Sequence, residues 1–215
     1  MPQNKINYQK QLDGLLLQLE KEGKTPTLLL HSCCAPCSSY VLEYLSRHFQ
    51  ITVLYYNPNI EPFEEYRLRK GEQIRLIKEG NWKNPVTFLD CDWEAEKFLQ
   101  ISKGLEDVPE GGIRCHGCFA LRLGKTAELA KEQGFDYFTT TLSISPLKNA
   151  EKLNEIGERF AKELGISHLP ADFKKREGYK RSIELSRQYH LYRQDYCGCI
   201  FSKMEREKQL RTDAE

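Results

Sequence analysis

No apolar run in this chain is long enough to cross a bilayer; the longest clean stretch is Leu28-Leu29-Leu30 with its neighbours. A secretory leader is not evident either. Residues from Met1 to Lys24 are amphipathic and charged, with no apolar core followed by a small-residue cleavage site. The expected location is the cytoplasm. Net charge is also missing: Lys+Arg number 32 against 31 Asp+Glu, a formal balance of +1. Any nucleic-acid contact must therefore come from a local basic patch. Internal repeats, low-complexity tracts and linkers are absent too, so one domain over 1–215 is expected. With 40% hydrophobic and 29% charged residues, the composition is that of a folded globular chain.

What the chain does have is cysteine. There are eight, and seven fall in three tight groups, Cys33-Cys34-Ala35-Pro36-Cys37, Cys115-His116-Gly117-Cys118 and Cys197-Gly198-Cys199, leaving only Cys91 alone. In a reducing compartment, clustered cysteines bind metal or do redox chemistry more often than they form disulfides. Two residues between Cys115 and Cys118 let both sulfurs face one ion or one cluster edge. Cys197 and Cys199 are too close for a relaxed mutual disulfide, and point to a common metal site or to two adjacent ones. Cys34-Ala35-Pro36-Cys37 has the thioredoxin-type spacing, yet a dithiol enzyme would leave six cysteines unused. A structural zinc site joins two local knuckles, whereas these groups span almost the whole chain, which favours iron–sulfur chemistry and an active site. Seven grouped thiols exceed one four-ligand site, so a second ion or a redox-active pair is expected beside a cluster.

Hydrophobic patterning gives an α/β class. Strands are expected at Thr27–Ser32, Ile51–Tyr56, Val86–Leu89, Tyr137–Thr141 and Ile166–Leu169. Helices are expected at Tyr8–Glu22, from Pro36 through Leu45, and at Glu64–Lys78, Trp93–Ile101, Cys118–Glu132, Asn149–Leu164 and Ser182–Tyr189, with a charged helical tail at Ser202–Arg211. Residues 103–114 read as a loop. Alternation of this kind implies a central, mostly parallel, five-stranded sheet flanked by helices, with a C-terminal helical extension. Ligands of such sheets sit beyond the carboxyl ends of the strands. Cys33-Cys34, Asn57-Pro58-Asn59, Cys91-Asp92 and Thr141-Leu142-Ser143 all fall there.

Other residues have a plainer reading beside the functional one. His31 suits a hydrogen-bonded core position better than ligation. Asp92 could ligate, move a proton or cap the following helix, and Asp172 and Asp195 are further oxygen candidates. Lys174, Lys175, Arg176, Lys180 and Arg181 form the densest basic group, with Phe173 and Tyr179 beside them for stacking on bases, and Tyr189, Tyr192 and Tyr196 approach the last cysteines.

Taken together, His31-Ser32-Cys33-Cys34-Ala35-Pro36-Cys37, Tyr56-Asn57-Pro58-Asn59-Ile60 with Glu65-Tyr66-Arg67, Arg114-Cys115-x-x-Cys118, Thr140-Thr141-Leu142-x-x-Ser145-Pro146 and Tyr192-Arg193-Gln194-Asp195-Tyr196-Cys197-Gly198-Cys199 resemble the QueH family of epoxyqueuosine reductases over nearly the full length. The resemblance implies a fold related to the adenine-nucleotide α-hydrolase (HUP-like) sheets, a [4Fe-4S] cluster and a nearby second iron. The implied reaction reduces the epoxide of epoxyqueuosine at the tRNA wobble position, within the anticodon stem-loop, to the alkene of queuosine. The Ser-Gly-Gly-x-Asp-Ser loop of ATP-using relatives is replaced by Cys33-Cys34, which argues against ATP use. With no cobalamin, flavin or pterin signature, electrons are expected from a ferredoxin or flavodoxin.

On that basis Cys34, Cys115, Cys118 and one of Cys197 or Cys199 are expected on the cluster. Cys33, the other member of the Cys-Gly-Cys pair and an aspartate are expected on the second iron, with Cys33 and Asp92 nearest the chemistry. Cys37 fits either group. Two competing readings make different predictions: a colourless dithiol oxidoreductase using Cys34 and Cys37, and a zinc-dependent RNA-binding module with no turnover.

Overall fold

The computed structural model describes residues 6–212. The elements alternate as α1 (Tyr8–Lys21), β1 (Thr27–His31), α2 (Ala35–Leu45), β2 (Gln50–Leu54), α3 (Phe63–Glu79), β3 (Val86–Leu89), α4 (Ala95–Ser102), α5 (Ile113–Glu132), β4 (Tyr137–Thr140), α6 (Ala150–Leu164), β5 (Ser167–His168), α7 (Gly178–Gln188) and α8 (Ile200–Thr212). The five strands form one sheet in the order β3-β2-β1-β4-β5, and every pairing is parallel. This is the expected α/β class, and the strand order is compatible with the expected HUP-like kinship. No helix among the described residues is long and apolar enough to cross a membrane.

The sheet is buried on both faces, and the alternation of side chains along β1 shows why. Leu28 and Leu30 pack on one face with Leu12, Leu16 and Leu19 of α1 and Val41, Leu42 and Leu45 of α2. Leu29 points the other way, into Phe119, Leu123 and Ala127 of α5 and Leu153 and Ile156 of α6. Strands covered on both sides read as continuous apolar runs, which is how Thr27–His31 reads.

The order reverses at β1. From there the chain winds outward through β2 and β3, then returns to lay β4 and β5 on the other side. The loops leaving β1 and β4 consequently diverge and open a crevice at their carboxyl ends, the place where such sheets bind ligands. The Cys33-Cys34 turn leaves one side, and a 3-10 turn at Thr141–Ile144 leaves the other.

Most boundaries shift from the patterning by one or two residues, and three of the differences have a local reason. Helix α5 begins at Ile113, five residues earlier than expected, because Gly112 in extended conformation starts the turn. Cys115 and Cys118 therefore both lie within helix rather than at its mouth. Helix α7 begins at Gly178 instead of Ser182, since no other residue fits there: a Cβ at Gly178 would stand 2.0 Å from the Phe173 carbonyl oxygen. Finally, β5 is only two residues long, as Leu169 turns its carbonyl to the Thr139 hydroxyl and leaves the ladder.

Candidate metal and redox site

Seven of the cysteines converge from three distant segments on the crevice between β1 and β4. Cys33, Cys34 and Cys37 come from the β1–α2 turn, and their sulfurs all lie within 4.8 Å of one another. The turn is held from below. Ser32 and Ser38 both donate to Gln73 Oε1 of α3, at 2.6 and 2.8 Å, and Asn57 Nδ2 donates to the Ser32 carbonyl at 2.8 Å. Pro36 sits in the first turn of α2, where a missing N–H costs nothing. From the opposite lip, Thr141 Oγ1 accepts from the Cys33 N–H at 3.3 Å and lies 3.5 Å from its sulfur.

The triad behaves as one acid–base unit. Hydrogen bonds from Cys33 and Cys37 hold the Cys34 thiol well below its ordinary pKa, while the same contact with Cys34 pushes Cys33 up to about 11. Hydrogen bonding to Cys33 and Cys34 raises Cys37 well above the ordinary range. Cys33 and Cys34 sulfurs are 3.9 Å apart. Thiolates arranged tetrahedrally at ~2.3 Å from a single ion stand about 3.8 Å from each other. The triad is thus shaped for one ion.

Cys115, Cys118, Cys197 and Cys199 line a second, tighter cavity of about 10 Å³ against Phe98, Phe119 and Arg122. Cys115 Sγ accepts from the Gly111 N–H at 3.2 Å, and Cys199 Sγ accepts from the Ser202 N–H at 3.4 Å. Gly198 has φ +125°, a conformation side chains rarely adopt, and a Cβ there would meet Ile60 at 2.9 Å and Arg69 at 3.0 Å. Arg69 secures this loop from below, bonding Glu65 at 2.7 Å and the Cys197 carbonyl at 3.1 Å. Burial pushes Cys118 up to about 12 and also raises Cys199, which disfavours their thiolates unless a cation or cluster draws the protons off.

Both groups open on a cavity of about 310 Å³, lined by the triad together with Cys197, Asn57, Asn59, Arg122, Lys148, Asp195 and Tyr196. Lys148 bridges its wall, with Nζ 2.6 Å from Glu110 and 3.1 Å from Cys197 Sγ. Burial works against the Lys148 charge, but the Cys197 thiolate and Glu110 outweigh it and hold its pKa above the usual lysine range. Arg122 is buried with no carboxylate partner among the described residues. Sequence patterning did not single out Arg122, Lys148, Glu110 or Gln73. Arg122 falls one helical turn after Cys118, which is the one spacing signal that could have found it.

The fold groups the cysteines as three and four, whereas the sequence expectation joined Cys34 to Cys115 and Cys118. Asp92 lies elsewhere, on a separate 580 Å³ cleft with Cys91, Lys70 and Trp93. Asp172 is paired with Lys174 at 2.6 Å on another cavity. Asp195 is the aspartate that lines the cysteine cavity. His31 is fully buried with both ring nitrogens engaged, by Thr140 Oγ1 at 2.8 Å and the Tyr56 carbonyl at 3.1 Å. Burial lowers its pKa to about 3, so it is a neutral core residue.

The basic group is largely committed to the fold. Lys174 pairs with Asp172, Arg176 with Asp13, Lys180 with Glu177, and Arg181 forks onto Glu43 while also touching Glu184. Lys175 is the member with no carboxylate partner among the described residues. Tyr179 and Arg193 sit at the rim of the cysteine cavity.

Comparison with known proteins gives a consistent answer. A family model described as "Epoxyqueuosine reductase QueH" matches residues 28–205. The chain is 42% identical over 222 residues to the epoxyqueuosine reductase QueH of Staphylococcus epidermidis, covering 100% of this chain and 93% of that protein. It is 45% identical over 203 residues to the same enzyme of Streptococcus pyogenes, covering 94% and 80%. With the Thermotoga maritima enzyme it shares 32% identity over 187 residues, covering 85% and 93%.

Proposed function

Because the chain belongs to the QueH family of epoxyqueuosine reductases and is an oxidoreductase of that activity, we propose that its two cysteine groups together hold the redox centre that removes the epoxide oxygen. The observation that carries this reading is the convergence of seven cysteines, from three distant segments, on two adjoining cavities that share Cys197, Arg122 and Lys148 at the switch point of the sheet.

Cys115, Cys118, Cys197 and Cys199 would hold a [4Fe-4S] cluster. Cys33, Cys34 and Cys37 would hold a second iron, with Asp195 as the nearby oxygen ligand in place of Asp92 or Asp172. The spacing supports this division. Sulfurs 3.9 Å apart suit one ion, whereas ligands of a four-iron cluster stand farther apart because the cluster lies between them. The surroundings fit the charge of such a set: Lys148 already donates to Cys197, and Arg122 borders both groups. When bound, these groups supply single electrons and a Lewis-acid contact for the departing oxygen.

The substrate is tRNA carrying epoxyqueuosine at the wobble position, and the protein acts in the cytoplasm. The balance is simple: the epoxide takes up two electrons and two protons, both C–O bonds break, and an alkene and water result. A ferredoxin or flavodoxin supplies the electrons one at a time. The chain's own part is to receive the modified base in the 310 Å³ cavity, to hold the epoxide toward the triad, and to shed bulk water. Asn57 and Asn59 line this cavity, and their buried amide oxygens have no hydrogen-bond partner among the described residues, which leaves them to accept from hydroxyls on the cyclopentane ring. Tyr179 and Tyr196 offer faces for neighbouring bases, Arg193 at the rim can turn from the Ser186 hydroxyl to a phosphate, and Lys175 on the adjoining cleft has no carboxylate partner among the described residues.

The test is to purify the protein without oxygen and measure iron, acid-labile sulfide, and loss of the epoxide from tRNA by mass spectrometry of its nucleosides. Wild type should be brown, bleach on reduction and convert the substrate, and Cys34→Ser should lose iron and conversion together. A colourless, zinc-loaded or iron-free protein that still reduces epoxyqueuosine would refute the assignment.

A further inference from the structure

Four cations are buried around the two cysteine groups, and three of them are accounted for by other partners. Arg69 has Glu65 at 2.7 Å, and Lys148 has Glu110 at 2.6 Å. Arg114 donates to the carbonyls of Leu105 and Glu106 at 2.9 and 2.8 Å and faces Glu205 at 3.8 Å. Arg122 differs. It is 1% exposed, and its one hydrogen bond among the described residues runs from Nε to the Cys118 carbonyl, 3.2 Å away on the preceding turn of α5. The Phe119 ring lies on one side of the guanidinium, 5.8 Å from its carbon, and supplies no counter-charge. Arg122 is also among the residues that line the three-cysteine cavity and the four-cysteine cavity alike.

A guanidinium cannot shed its proton to escape burial, and an uncompensated charge in the interior costs several kcal/mol. The groups that line the same two cavities and can compensate it are sulfurs, Cys33 and Cys197 in one and Cys115, Cys118 and Cys197 in the other, once a bound centre makes them thiolates. We propose that Arg122 is a positioning residue, the fixed counter-cation shared by both cysteine groups, and that it raises the reduction potential of the centre they hold. The proposal rests on the redox reading above. Each electron delivered by the carrier protein adds one negative charge to the centre, and two must arrive for each epoxide removed. A permanent positive charge in a low-dielectric wall favours the reduced form each time, without taking part in bond-making. Lys148 cannot substitute, because its charge is already divided between Glu110 and Cys197.

The test is an anaerobic potentiometric titration of the full-length holoprotein, followed by electron paramagnetic resonance, on wild type, Arg122→Gln and Arg122→Lys. Gln removes the charge and keeps a polar head; Lys keeps the charge. With iron and sulfide content matched to wild type, Arg122→Gln should lose at least tenfold in the one-electron reduction equilibrium, about 59 mV toward lower potential. Arg122→Lys should stay near wild type. An unchanged potential in Arg122→Gln overturns the proposal. Should Arg122→Gln fail to retain iron, Arg122→Lys decides: iron retained at the wild-type potential supports the counter-cation role, and iron lost or a potential shifted overturns it. A wild type with no reducible iron would instead refute the redox reading, a result distinct from any of these.

Discussion

Replacing Asn154 with Leu should destabilise the fold by about 2–5 kcal/mol, and the structure says where that energy goes. Asn154 lies on α6 at 2% exposure and bonds the backbone of Ala171 twice, Nδ2 to the carbonyl at 2.9 Å and Oδ1 from the N–H at 2.9 Å. A third bond runs from Nδ2 to the Ala150 carbonyl at 2.7 Å. Leucine has nearly the same volume, so little cavity forms; what changes is that a buried N–H and a buried carbonyl of Ala171 lose their partners. Each orphaned group costs about 1–3 kcal/mol. For a chain of this size a 3 kcal/mol loss lowers the melting temperature by roughly 6–12 °C. The damage should reach the site, because the strap beyond Ala171 braces its far lip: the Phe173 N–H donates to Ser143 Oγ at 3.3 Å, beside the Thr141 that contacts Cys33. Urea denaturation of the reduced, metal-free chains gives the comparison. A midpoint for Asn154→Leu within about 0.5 kcal/mol of wild type, at equal slope, would show that Ala171 finds other partners and would refute the reasoning.

Other expected outcomes follow from single features. Gly198→Ala places a Cβ at positive φ against Ile60 and Arg69 and should cost iron content as well as stability; quantifying bound iron beside the melting temperature checks both. Lys175→Glu should raise KM for tRNA several-fold and leave stability within about 0.5 kcal/mol, whereas Arg181→Ala, which breaks the fork onto Glu43 between α7 and α2, should leave KM alone and cost about 1 kcal/mol. His168 has a pKa lowered to about 4 by burial, so the unfolded chain takes up its proton first as pH falls. Its contribution is full above about pH 6.5 and is lost on descending toward pH 4, by at most about 3 kcal/mol. His168→Gln should flatten that part of the stability–pH curve, and an unaltered slope would count against it.

Much of the fold was legible because buried parallel strands and amphipathic helices leave periodic signals that depend only on near neighbours in the chain. The run at Thr27–His31 and the pattern over Ala150–Leu164 are of that kind. Less visible were features decided by tertiary contact. Helix α5 starts early because its first turn is held by Gly112 and by Arg114 reaching back to Leu105 and Glu106, neither of which appears in an apolar period. In the 174–181 group the sequence displays five positive charges, but four are occupied by carboxylates: Asp172, Glu177 and Glu184 lie within three residues of their partners, while Asp13 and Glu43 are brought in from far off in the chain.

The cysteines make the same point at the site. Spacing along the chain identified seven sulfurs aimed at a common place, because CxxC and CxC are local geometry. How they divide is set by two non-local quantities, separation and charge. The Cys33–Cys34 separation of 3.9 Å, with all three sulfurs within 4.8 Å of one another, suits a single ion. The proposed bulkier group belongs with the other four, where Lys148 donates to Cys197 and Arg122 lines the cavity beside Cys118, whose pKa burial raises. A chain that held only a redox dithiol at Cys34 and Cys37 would gain nothing from burying Arg122 without a carboxylate, since that arrangement is costly unless several thiolates face it at once. The guanidinium, unpaired among the described residues, is therefore an argument, independent of motif spacing, for the proposed role of Cys115, Cys118, Cys197 and Cys199 as thiolate ligands.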